Sequence, residues 1–412
     1  MVENRGSVAR MATILSCLGG FCAAPAQDLI TPPVFAEKGI QALNPGPWGD
    51  LEYYVVNLEP PDNLIGTARD IDAHVEGTVW KFVAHTPEMT ADTLTDAGLA
   101  PDAVARLTGD DHLRVNGAIV EIRPPEDLVE SLAPQIRARL YPRIGRDIEG
   151  NVFRNFYLIP PGGIRSLAGA DSGLSDRTLD LIERLTYPVE GVRAFSDIAL
   201  AMRRAADETE RRRILKTLLR EKSFALRLKV SSAAEIEDVA RYWTARGRNL
   251  DVLPMLKTIA INSEVQYLDI VHLLPPTPRK LIHTYPRRTM SVGWETPDCY
   301  WTAFNFFAYA PSNRHFDAAV FASQIQDRYE PATKPWQLGD LVLISDADTG
   351  KAIHVCSYIA DNLVLTKNGK GFYRPWVVSP LFEVTASYAR VKRLAVHFLR
   401  QKPRPKTLRV RR

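Results

Sequence analysis

The sequence predicts an α+β protein, and three observations carry that expectation. Between 49 and 165, β-rich runs and an Asn-Gly hairpin signal alternate with short helical patterns. From 174 to 261 the apolar spacing is helical. After Pro297, a short Cys-bearing helix is followed by three strands separated by tight turns. Strand runs and helix runs that are segregated along a chain, rather than strictly alternating, belong to α+β architecture.

Taken in order, Arg5 and Arg10 precede the apolar stretch 11–24, and Ala24-Pro25-Ala26 fits a small-residue cleavage pattern. Residues 1–26 therefore read as a signal segment for export, removed from the mature chain. Residues 27–48 are rich in proline and glycine and read as a linker. The runs LEYYVVNL (51–58) and TVWKFVA (78–84) read as strands. Leu113 to Val115 and Ala118 to Ile122 flank Asn116-Gly117, whose glycine supplies the positive φ of a hairpin turn. Leu128, Leu132, Ile136 and Leu140 recur every four residues, and Pro134 should break or kink that helix. This makes 49–165 a small α+β unit. Residues 166–278 read as a helical region, with Ser175 as one cap and Ser232 with Glu235 as a capping box.

Composition narrows the function. The chain of 412 residues is 45% hydrophobic and 24% charged, which is globular. No apolar run reaches the roughly 18 residues of a membrane span. Residues 391–412 hold nine of the 52 Lys and Arg and no acid, leaving 43 basic against 48 acidic residues elsewhere. The positive charge thus belongs to the C-terminal stretch from 391, which ends in the basic tail 396–412, and argues against nucleic acid as a partner. Phosphate-loop, dinucleotide, HExxH and G-x-S-x-G patterns are absent, and the histidines lack ligand-like spacing. No metal and no cofactor is expected. Of four cysteines, Cys17 and Cys22 leave with the signal segment, so the mature chain keeps Cys299 and Cys356.

The chemistry concentrates in 279–395. Pro297 and Asp298 are helix-start residues, which puts Cys299 in the first turn of the helix they open. A helix N-terminus stabilises a thiolate, so Cys299 is a candidate nucleophile with a depressed pKa. The following strands, 341–344, 352–359 and 363–366, carry His354 on one and Thr366 at the end of the next, with Asn368 just beyond. A cysteine nucleophile needs a base within reach and a polar group to orient the imidazole. Asn368 and Thr366 are the in-phase candidates for that third place, with Asn368 the better acceptor for a ring N–H. Cys356 shares a strand face with His354, so a Cys299–Cys356 disulfide is an alternative fate for the thiol.

Asp298-Cys299 opening a helix, Gly339-Asp340-Leu341-Val342, and His354 in a strand of the form HVxxYI together resemble the NlpC-type cell-wall cysteine peptidases. The resemblance covers about 280–390. It implies a papain-like α+β domain with the Cys helix packed on an antiparallel sheet, and hydrolysis of amide bonds in peptidoglycan stem peptides. It also implies Tyr285 as an oxyanion contributor, and Asp298 and Trp301 as substrate-facing positions. The family's Cys is usually followed by Ser-Gly, whereas Tyr300-Trp301 stands here. Two further functions fit the same residues: an inactive papain-like binding or scaffold protein of the cell envelope, and an acyl or amine transferase with the same triad.

Overall fold

The structure, a computed structural model, describes the backbone of 24–25 and residues 39–66, 75, 78–144, 152–153, 156–189, 191–230, 233–262, 264–389 and 393–403. The rest of the signal segment, the start of the linker, Ser232 and the tail beyond 403 lie outside the described residues. The fold is α+β, with antiparallel sheets and helices in two units. One unit comprises 59–220; the other joins 1–58 to 221–412. Each is taken by itself.

In the unit 59–220, two three-stranded sheets form. Trp80–Val83, Ile119–Ile122 and Leu113–Asn116 make one, and Tyr157–Ile159, Val192–Phe195 and Tyr187–Val189 make the other. The hairpin turns at Gly117, whose φ is +58°. Trp80, Phe82, Ile122, Tyr141 and Phe195 are buried in one core, where each large side chain contributes about 2–3 kcal/mol of transfer free energy. Pro134 splits the expected helix into Glu126–Ser131 and Pro134–Leu140. At the break the buried Arg137 guanidinium donates to two main-chain carbonyls, those of Val129 and Leu132. Its Nε donates to Asp197 Oδ2 at 3.0 Å, and the Tyr141 hydroxyl donates to Asp197 Oδ1 at 2.7 Å. A break in local structure is thereby answered by a buried ion pair.

The second unit holds a four-stranded and a seven-stranded sheet. The smaller runs Tyr267–Asp269, Glu221–Lys229, Leu51–Leu58, Gln41–Ala42. The larger has Leu394–Gln401, Leu341–Asp346, Ala352–Ala360, Leu363–Lys367 and Trp376–Pro380 in that spatial order. Ala24–Pro25 and Tyr329–Pro331 both pair with Leu394–Gln401. Gly339, at φ +78°, turns the chain into the Leu341 strand, and a Cβ there would strike the Phe306 and Phe307 rings. The region 166–278, expected to be helical, also contains four strands among the described residues, of which Glu221–Lys229 is the longest. Its Ser223 to Leu226 stretch is buried on both faces, so it lacks the alternation that distinguishes a strand from a buried helix. The unit boundaries cross the sequence segments: 49–58 and 221–278 belong with the Cys299 region rather than with 59–220.

Candidate functional site

Cys299 is the first residue of the helix Cys299–Phe304. Asp298 caps it, its Oδ1 accepting the Trp301 N–H at 2.9 Å. The helix is fixed from below by a relay. Thr302 Oγ1 donates to the Asp298 carbonyl at 2.6 Å and accepts the Trp376 indole N–H at 2.8 Å. Trp301 is buried between Phe316 and Trp376, with ring centroids at 6.2 and 6.3 Å. Asp298 is spent on capping and Trp301 on the core, so the structure gives neither side chain an open face toward a substrate.

His354 lies on the strand Ala352–Ala360 and is 1% exposed. Its Nε2 is 2.7 Å from Thr366 Oγ1, and the Thr366 hydroxyl donates to Asn368 Oδ1 at 3.3 Å. Its Nδ1 is 3.1 Å from the Tyr388 hydroxyl, and the two rings stack with centroids 4.8 Å apart. One assignment of protons satisfies every partner: Nε2–H donates to Thr366, Thr366 donates to Asn368, and Tyr388 O–H donates to Nδ1. Thr366 therefore touches the imidazole and Asn368 stands behind it. Nδ1 is left as the basic nitrogen.

The sulfur of Cys299 comes beside the backbone amide of Val355, the residue after His354. That amide is available because the ladder between Ala352–Ala360 and Leu363–Lys367 starts only at Ser357 opposite Leu365. Among the described residues no hydrogen bond joins Cys299 to His354, whose two ring nitrogens are both held by hydroxyls. Cys299 and Cys356 are free, buried thiols. The thiolate expected from the helix N-terminus is not what the surroundings favour. Burial, and then the Asp298 charge, push the Cys299 thiol up to about 12. A helix of six residues offers a weak dipole, and its cap is a carboxylate.

Burial likewise holds His354 down at about 3. The unfolded chain, with an ordinary imidazole near 6.5, binds the proton first as pH falls. Stability from this group is thus full above about pH 6.5 and is lost progressively toward pH 3. We expect His354→Gln to flatten the stability profile in that window relative to the parent chain, measured by urea unfolding at pH 4, 5, 6 and 7.

Tyr285 follows the segment whose His283 N–H donates to the Trp376 carbonyl at 2.8 Å and whose Thr284 carbonyl accepts the Trp376 N–H at 3.1 Å. Its hydroxyl is buried. The Trp376 strand, rather than the thiol, sets its position.

Two residues of the cluster were not singled out from the sequence. Tyr388 shares a helical face with Leu381, Val384 and Thr385, which reads as ordinary core spacing. Lys367 is fully buried at the end of a strand, and its Nζ donates to the carbonyls of Gly369 and Gly371 at 2.6 and 3.1 Å. Burial pulls it down to about 8, opposed by the nearby Asp298 and Cys299 charges. A lysine inside an otherwise apolar strand was the available signal, because burying an ammonium is costly.

Among the described residues, no three His, Cys, Asp or Glu side chains converge to hold a metal. No helix there is long and apolar enough to cross a membrane. Two cavities, of about 790 and 770 Å³, lie in this unit, and neither is lined by Cys299, His354 or Asn368. No protein-family model matches the chain, and no curated protein matches it. Among solved structures, an N-acetylmuramoyl-L-alanine amidase from Bacteroides uniformis is 15% identical, with a TM-score of 0.14, covering 42% of this chain and 76% of that one.

Proposed function

We propose that this chain is a cysteine hydrolase of amide bonds, exported, with peptide stems of the cell wall as its substrate class. The observation that carries the proposal is the line His354 Nε2–Thr366–Asn368, which fixes the imidazole and leaves Nδ1 basic. Cys299 stands one residue along, beside the Val355 amide, at the start of a helix. The substrate class rests on the resemblance carried by Asp298-Cys299, Gly339-Asp340 and His354.

In this reading the resting pair is a neutral thiol and a neutral imidazole. Tyr388 occupies Nδ1 and must release it. The thiol proton then passes to Nδ1 as sulfur bonds to the amide carbon. The oxyanion is held by the backbone N–H of Cys299, the first residue of its helix. Collapse of the intermediate breaks the carbon–nitrogen bond, and the imidazolium proton leaves with the amine. Water then attacks the thioester, His354 taking its proton, and the carboxylate and thiol are released.

A second reading is favoured by a specific observation. A thiol pushed up to about 12, and an imidazole with both nitrogens engaged, describe an inert core suited to a binding or scaffold protein. Alkylation separates the two. The parent chain should react slowly with iodoacetamide at pH 7.5. Tyr388→Phe frees Nδ1, and Cys299 labelling should rise at least tenfold, with Cys356 unchanged in the same peptide map. Equal rates in parent and variant would leave the scaffold reading.

A further inference from the structure

The C-terminal end of the Cys299 helix borders the cavity of about 770 Å³, through Ala303 and Phe304. Its walls are strongly cationic. Arg246, Arg248, Arg314, Arg328 and Lys402 line it, and no Asp or Glu does. Among the described residues none of the four arginines is ion-paired with a carboxylate. By contrast, Arg400 close by is neutralised by Asp340 at 2.6 Å. Lys402 is partly used, donating to the carbonyls of Gln326 and Asp327 at the end of the helix Ala318–Arg328.

Four uncompensated guanidinium groups repel one another, and a fold gathers them in one concavity at a cost unless something anionic shares it. One of them is held in place. Arg248 lies over the Phe307 ring at 3.9 Å, and its Nη1 donates to Gln401 Oε1 at 2.7 Å. Arg246 sits at φ +57°, in the left-handed region that costs a non-glycine residue about 1 kcal/mol or more. The turn that carries both arginines is therefore strained in the place where it presents charge. His315, stacked on Phe304 at 5.4 Å, reports the same field. Burial first, then Arg314 and Arg328, hold it down at about 4.

We propose that this cavity binds a small polyanion bearing two or more phosphate or carboxylate groups. Guanidinium forks match both groups bidentately, and the volume suits a ligand of that size. The site stands apart from the Cys299–His354 cluster and does not depend on its chemistry.

The test is calorimetric titration of the full chain at fixed ionic strength with two probes, tripolyphosphate and citrate. At least one should bind with micromolar affinity that weakens as salt is raised. The tighter probe identifies phosphate or carboxylate as the natural group. Arg314 and Arg328 are exposed, so Arg314→Ser with Arg328→Ser should fold normally and weaken binding at least tenfold. The exposed Arg177→Ser, in the other unit, should leave binding unchanged. Failure of both probes to bind overturns the proposal. So does equal weakening by the Arg177 control, which would indicate charge without a site.

Discussion

Cys299→Ala is expected to remove amide hydrolysis of stem peptides entirely, and His354→Ala to lower it by at least about 10³-fold. In the proposed mechanism the two act as one unit, the imidazole taking the proton that the thiol gives up. The double variant should be no worse than Cys299→Ala alone. Thr366→Val should cost about 10–100-fold, because it releases Nε2 and lets the ring turn. Asn368→Ala should cost less, as it acts on the ring only through Thr366. Mass spectrometric detection of released stem peptide, with circular dichroism to confirm folding, checks the series. If Cys299→Ala retained hydrolysis, the nucleophile assignment would be wrong whatever His354 does.

Asp197→Ala should be among the most damaging substitutions in the unit 59–220, lowering its stability by about 3–5 kcal/mol. The carboxylate is fully buried, receives Arg137 Nε at 3.0 Å and the Tyr141 hydroxyl at 2.7 Å, and has no substitute nearby. Its loss leaves a guanidinium charge in the core with only two carbonyls to satisfy it. Replacing Arg137 and Asp197 together with Met and Leu should recover most of that loss, because the pair's desolvation cost goes with it. Urea unfolding of the three chains decides this. A single variant within about 1 kcal/mol of the parent would show that water reaches the guanidinium.

The sequence was most informative where punctuation is strong. Asn116-Gly117, Pro134 and Asp298 act through φ, a missing N–H and a capping carboxylate, and the structure has a turn, a helix break and an N-cap at those places. The strands around His354 were legible from turn residues on either side. The strand Glu221–Lys229 was not, since burial on both faces removes its period. Nor was the ionisation of Cys299. The helix-start argument weighs a partial charge, whereas the outcome turns on desolvation, which depends on what the tertiary fold lays over the thiol. Tyr388 entered the site for the same reason: its partner lies 34 residues away, and helical spacing cannot show it.

The pairing of Leu51–Leu58 with Glu221–Lys229 begins at Leu58 opposite Glu221. Everything from 59 to 220 is therefore, topologically, the loop of one hairpin. In an unfolded chain, bringing those two residues together closes a very long ring, and the entropy of doing so opposes the pairing. Within the inserted unit, however, Glu59 and Arg220 are joined, Oε2 to Nη2 at 2.7 Å. Once that unit has folded, its two ends leave side by side. The ring that the hairpin must close then shrinks to a few bonds, and a contact distant in sequence behaves kinetically as a local one.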